Sequence, residues 1–301
     1  MTELGRLFTA MVTPMRPDRS VDVEQAKRLA AALLETGSEG LVVCGTTGEA
    51  STLEFEEERT LFRELLPIAR ERGAVLVAGT GSNSTRTAIE SSARAAEIGV
   101  DALLLVVPYY NKPSQEGLYQ HFRAVAASVS IPCILYNVPS RTSINMTADT
   151  QLRLAGIPNI VGTKEASGDL DQISRIIEGA PAGFRVWSGN DGDNLPILAI
   201  GGYGAVSVVS HLAGRQVRAV IDAAVRGDIA EAGRIHRQLV PLVKAMFLDG
   251  NPVPLKYALN HIGFQVGPPR PPLVEPNEVT ADKIRAAVAA AQIDLPVTVS
   301  P

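Results

Sequence analysis

Apolar, β-branched segments recur along this chain with a polar or helix-patterned stretch between each pair. They occupy 7–14 (LFTAMVTP), 40–45 (GLVVCG), 75–81 (VLVAGTG), 102–108 (ALLLVVP), 132–139 (PCILYNVP), 160–166 (IVGTKEA), 184–189 (FRVWSG) and 205–210 (AVSVVS). Most are apolar throughout rather than alternating, the pattern of a parallel strand covered on both faces. Between them, apolar positions fall at helical spacing. After Asp22, a candidate N-cap, Val23, Ala26, Leu29, Ala30, Leu33 and Leu34 share one face before Gly37 ends the run. Phe55, Leu61, Phe62, Leu65 and Ile68 mark a second helix that stops at Gly73. Ser114 opens a third, with Leu118, Phe122, Val125 and Val129 inward.

The strand starts lie 21 to 35 residues apart, room for a strand and a crossover helix. Eight such units predict an α/β fold, a (β/α)8 TIM barrel over residues 1–212. A doubly wound sheet is the alternative, since strand number does not show closure. After Ser210 the rhythm changes: 215–227, 229–248, 253–262 and 278–292 predict helices with no strand among them. Residues 213–301 therefore read as a C-terminal helical appendage, punctuated by Pro-rich turns.

Charge and composition narrow the function. With 28 Lys plus Arg against 32 Asp plus Glu, the net charge of −4 gives no general attraction to nucleic acid or anionic lipid. The longest clean apolar run, Ala102 to Pro108, is far short of a membrane span. The opening MTELGRLFTAMVTP lacks a secretory pattern, so a cytoplasmic location is expected. Cys44 and Cys133 sit in apolar stretches and read as buried thiols. The four histidines show no metal-ligand spacing, and no metal or cofactor is expected.

Barrel chemistry collects where strands end. In chain order those positions carry Thr46, Thr47 and Glu49, then Tyr109 and Tyr110, then Tyr136 and Arg141, then Lys164 and Glu165. Lysine is scarce here, six against twenty-two arginines, and only Lys164 ends an apolar strand. A lysine of ordinary pKa is neutral only ~0.04% of the time at pH 7. Lowering that pKa to about 8 makes ~10% neutral, at roughly 3 kcal/mol of bias that desolvation can supply. Such an amine attacks a ketone and forms a Schiff base. A structural ion pair is the competing reading. Tyr136 could move protons beside it, or be only a core aromatic. The Gly45-Thr46-Thr47-Gly48-Glu49 turn suits a small carboxylate and is no Walker loop, while Gly79-Thr80-Gly81 lacks the third glycine of a dinucleotide fingerprint.

These residues resemble the pyruvate-dependent class I aldolases, and among them the dihydrodipicolinate synthase family, from about Leu7 to about Ala258. The carriers are GTTGEAST at 45–52, PYYNKPSQEGLYQHF at 108–122, ILYNVPSRT at 134–142, IVGTKEASG at 160–168, SGND at 188–191 and NPVPLK at 251–256. The resemblance implies a Schiff base between Lys164 and pyruvate, with Thr46 and Thr47 holding the carboxylate and the Val206 backbone lining the enamine. It implies a proton relay of Tyr136, Thr47 and Tyr110, with Tyr110 entering from a neighbouring subunit of a homotetramer built as a dimer of dimers. Arg141 would receive the carboxylate of L-aspartate 4-semialdehyde, for a lyase on the route to diaminopimelate and lysine. Sialic-acid lyases of the same superfamily generally lack this Arg; a structural salt bridge is its alternative role. Phe55 and Glu58 stand where lysine-inhibited members often have His, and Thr87 where Glu is expected, so feedback inhibition by lysine is not implied. A sugar-acid or sialic-acid aldolase and a non-catalytic ligand-binding barrel are the competing functions.

Overall fold

Each of the eight apolar segments forms a strand in the structure, a computed structural model that describes residues 4–296. In chain order the strands are β1 (Leu7–Ala10), β2 (Gly40–Val43), β3 (Val75–Gly79), β4 (Ala102–Val106), β5 (Cys133–Asn137), β6 (Ile160–Glu165), β7 (Arg185–Ser188) and β8 (Gly204–Ser207). All neighbours pair in parallel, and β8 returns to pair with β1 through Phe8 and Val206, so the sheet closes as a barrel. Closure removes the doubly wound alternative and leaves no unpaired edge. The strands are shorter than the apolar segments because their C-terminal residues leave the ladder and turn into the loops that carry the site.

The helices are α1 (Val23–Glu35), α2 (Phe55–Glu71), α3 (Thr85–Ile98), α4 (Gln115–Ala127), the short α5 (Pro139–Thr142), α6 (Ala148–Ala155), α7 (Leu170–Gly179), α8 (Asn194–Ala199), α9 (Ser210–Val225), α10 (Ile229–Ala245), α11 (Val253–His261) and α12 (Glu278–Ala290). Asp22 caps α1 by accepting from the Gln25 N–H, and Ser114 caps α4 by accepting from the Gly117 N–H. Gly37, just past α1, has φ +112°, a conformation an L side chain resists. Leu29 and Leu33 of α1 are fully buried against the barrel, each contributing about 1.5–3 kcal/mol. The helix predicted to reach Val129 ends at Ala127.

Apolar side chains separate into two layers. Phe8, Val42, Val77, Leu104, Ile134 and Trp187 fill the barrel interior. A larger set packs between the strands and the surrounding helices. The helix α9 follows β8 as the eighth barrel helix, so the division anticipated at 212/213 falls inside it. Helices α10 to α12 form the appendage, and its turns reach back over the C-terminal end of the barrel.

Candidate active site

Lys164 is the fifth residue of β6 and Tyr136 the fourth of β5, and the strand register sets them side by side. Side chains alternate across a strand, so these two point into the barrel while Asn137 and Glu165 point out to the helices. There Glu165 is held by Asn137 Nδ2 at 2.9 Å, Gln151 Nε2 at 2.5 Å and Ser167 Oγ at 2.7 Å. Burial raises the Glu165 carboxyl pKa, with those hydrogen bonds opposing. The outward clamp fixes the register that brings Tyr136 to Lys164.

Lys164 is 5% exposed, and its Nζ lies 4.1 Å from the centroid of the Tyr136 ring. Burial pushes the ammonium down to about 7, against the pull of Asp191 and with the help of Arg141. Asp191 forms no ion pair with Lys164. Its carboxylate is engaged by Ser207 Oγ at 2.5 Å, Val208 N at 2.8 Å and Val209 N at 2.9 Å, which ties the end of β7 to the end of β8. The ion pair feared for Lys164 is absent among the described residues, and burial favours the neutral amine.

The neighbouring groups fall into place unevenly. Burial raises the Tyr136 hydroxyl pKa, with Arg141 and the adjacent Thr46 hydroxyl opposing. The Thr46 hydroxyl thus bears on Tyr136. Thr47 accepts a hydrogen bond from Asn251 Nδ2 at 2.8 Å. Val206 is buried on β8 inside the barrel. Arg141 is exposed on α5, close enough to act on both Lys164 and Tyr136. Tyr110 is 90% exposed, outside the surroundings of Lys164 within this chain.

A cavity of about 560 Å³ opens here, lined by Thr46, Tyr136, Val138 and Arg141 and also by Phe55, Glu58, Thr87 and Tyr109. Burial, with Glu57 nearby, raises the Glu58 carboxyl to about 7. Among the described residues no three His, Cys, Asp or Glu side chains group as metal ligands. No helix among them is long and apolar enough to cross a membrane.

Three positions that shape the site were not assigned from the residues alone. At Gly189 a Cβ would lie 2.9 Å from Lys164 Cγ and 3.0 Å from its Cε, so only glycine leaves the lysine room. Asp191 fixes two strand ends, and Asn251 reaches Thr47 from the appendage. The segments SGND and NPVPLK stood out, but nothing in them announces a contact made across the fold. Asp191, close behind a strand, was the one that inspection of strand ends could have found.

The sequence profile of the dihydrodipicolinate synthetase family matches residues 3–291. The chain belongs to that family. It is 54% identical over 297 residues, 99% of this chain and 100% of the relative, to 4-hydroxy-tetrahydrodipicolinate synthase of Dehalococcoides mccartyi. It is 55% identical to the enzyme of the same name from Moorella thermoacetica, covering 94% of this chain and 97% of that one. Among solved structures, dihydrodipicolinate synthase from Cyanidioschyzon merolae with lysine bound superposes with a TM-score of 0.94 at 45% identity, covering 95% of this chain and 98% of that one. The family membership expected from the six sequence segments holds over nearly the whole chain.

Proposed function

We propose that this chain is a 4-hydroxy-tetrahydrodipicolinate synthase, a lyase of lysine and diaminopimelate biosynthesis, and that Lys164 is its nucleophile. The observation that carries the reading is a buried lysine amine over the Tyr136 ring, with its pKa lowered to about 7 and no carboxylate in contact. The neutral amine adds to the ketone carbon of pyruvate, giving a carbinolamine that loses water to become a Schiff base. Loss of a methyl proton gives the enamine, whose carbon attacks the aldehyde of L-aspartate 4-semialdehyde. The substrate amine then adds at the former ketone carbon, closes the ring and releases Lys164.

Tyr136, with Thr46 nearby, moves protons to and from the carbinolamine oxygen. The Thr46-Thr47 turn receives the pyruvate carboxylate, and the Val206 backbone on β8 lines the enamine. Arg141 at the cavity receives the second carboxylate, which favours this reading over a sialic-acid or sugar-acid aldolase. Exposed Tyr110 completes the site of a second copy, in a homotetramer of two dimers located in the cytoplasm. Phe55, Glu58 and Thr87 line the same cavity, and with them lysine is a poor inhibitor of this chain.

The test is borohydride reduction in the presence of pyruvate, followed by peptide mapping. A reduced-pyruvate adduct on Lys164 supports the assignment. An unmodified Lys164, under conditions that label a control class I aldolase, rejects it. Coupled assays with aspartate semialdehyde and with N-acetylmannosamine separate the synthase from a sialic-acid aldolase.

A further inference from the structure

The turn that carries Thr46 and Thr47 is gripped from the far end of the chain. Asn251, just before α11, is 7% exposed and donates from Nδ2 to Thr47 Oγ1 at 2.8 Å across 204 residues of sequence. Two residues further along the turn, Glu49 is paired with Lys256 Nζ at 2.5 Å and accepts from the Arg270 N–H at 2.7 Å. The Thr13 hydroxyl holds the Gly48 carbonyl at 2.6 Å. The turn is thus fixed by several buried contacts, whereas the Asn251 side chain makes its one hydrogen bond to the threonine hydroxyl.

That contact has a direction. A hydroxyl has one proton to give and two lone pairs to receive with, whereas an amide NH₂ can only donate. Asn251 therefore occupies a lone pair of Thr47 and leaves its proton for another acceptor. A carboxylate accepts and never donates, so a residue that binds one must present a proton. We propose that Asn251 is a positioning residue of the appendage that holds Thr47 as a hydrogen-bond donor toward the carboxylate of the keto-acid substrate. The inference rests on the reading of Thr47 as a carboxylate-binding residue. It gives the appendage a part in substrate binding beyond covering the barrel.

The test is a double-mutant cycle on the full-length enzyme, joining Asn251→Ala and Thr47→Val, with Asn251→Asp as a third variant. Pyruvate KM, kcat, borohydride trapping and thermal melting are measured for each. Asn251→Ala is expected to raise pyruvate KM about tenfold with kcat changed less than about twofold, the scale of one lost hydrogen bond. Asn251→Asp keeps the shape but accepts the threonine proton, and is expected to raise KM further, about a hundredfold. In the Thr47→Val background both effects fall below about twofold, because the residue through which they act is gone.

Additive effects in the cycle, an aspartate no worse than alanine, or an aspartate penalty that persists in the Thr47→Val background would each overturn the inference. So would a fall in kcat alone, or a large loss of melting temperature in both Asn251 variants, which would assign the residue to stability. The underlying reading fails separately. Wild-type protein that pyruvate does not trap rejects the Schiff-base function, and Thr47→Val with unchanged pyruvate KM rejects the carboxylate role of Thr47 and this inference with it.

Discussion

Two lysines of this chain are buried, Lys164 at 5% and Lys256 at 1% exposure, and they meet opposite fates. Lys256, in the first turns of α11, is paired with Glu49 at 2.5 Å and donates to the Pro268 carbonyl at 3.1 Å. Burial lowers its pKa while Glu49 pulls the other way. Lys164 lies over an aromatic face, and the nearby acid, Asp191, is held by Ser207 and two backbone N–H groups instead. Desolvation is common to both sites. What separates the structural cation from the proposed reactive amine is whether a carboxylate is in contact, and the fold withholds one from Lys164 by giving Asp191 other donors.

The strongest challenge to this contrast is replacement of each lysine by methionine. Lys164→Met removes the proposed nucleophile, so turnover is expected to fall by at least ~10³-fold and pyruvate trapping to vanish. The same substitution is expected to stabilise the fold at neutral pH. The folded-state pKa of Lys164 is lowered to about 7, so between that value and its ordinary value near 10.4 the unfolded chain binds more protons. Stability therefore rises with pH across that window, and below it the full penalty of the buried amine is present. Calorimetry from pH 6 to 10 is expected to show a flatter pH dependence in the variant. A lower melting temperature at pH 7 would mean that Lys164 is structurally paired.

Lys256→Met has the opposite signature. It leaves Glu49 buried without its cation, and a loss of about 3–5 kcal/mol is expected by denaturant unfolding. Adding Glu49→Gln removes the stranded charge and is expected to restore most of it. If the single variant is neutral, Lys256 is not the ion-paired counterpart assumed here, and the comparison fails on that side.

How far these two sites could be read beforehand differs with the range of the contacts. The eight strands were legible because a doubly covered parallel strand must be apolar for several residues in a row, and Lys164 stood out by interrupting such a run. Tyr136 was legible for the same reason. The pairing of Lys256 with Glu49 was not, nor was the bond from Asn251 to Thr47, because no periodicity connects residues some two hundred positions apart. Two adjacent threonines in one turn show the limit from another side: only the folded turn reveals that Thr47 accepts from Asn251 while Thr46 bears on Tyr136. Gly189 was silent because its contribution is the space a side chain would fill.

A smaller effect is expected at Arg141, whose charge bears on Lys164 from the cavity wall. Arg141→Ala is expected to raise the KM for aspartate semialdehyde by about 10- to 100-fold, the value of a charged hydrogen bond, while pyruvate still traps Lys164. Equal damage to both substrates would instead make Arg141 a structural element of the rim.

The finest distinction is in the pH dependence of trapping itself. Only the neutral amine attacks, so the rate of adduct formation is expected to rise about tenfold per pH unit below the Lys164 pKa and to level off above about 7. Arg141 helps to hold that pKa down, because a positive charge nearby disfavours the ammonium. Its removal therefore moves the midpoint upward, whereas Lys256→Met leaves it in place if the two lysines are electrostatically separate. Rates measured at saturating borohydride from pH 5 to 9 on the three proteins decide the matter. A midpoint near 10 in the wild type would mean that burial alone, without a contacting carboxylate, is not enough to free the amine, and the contrast between the two lysines would lose its physical basis.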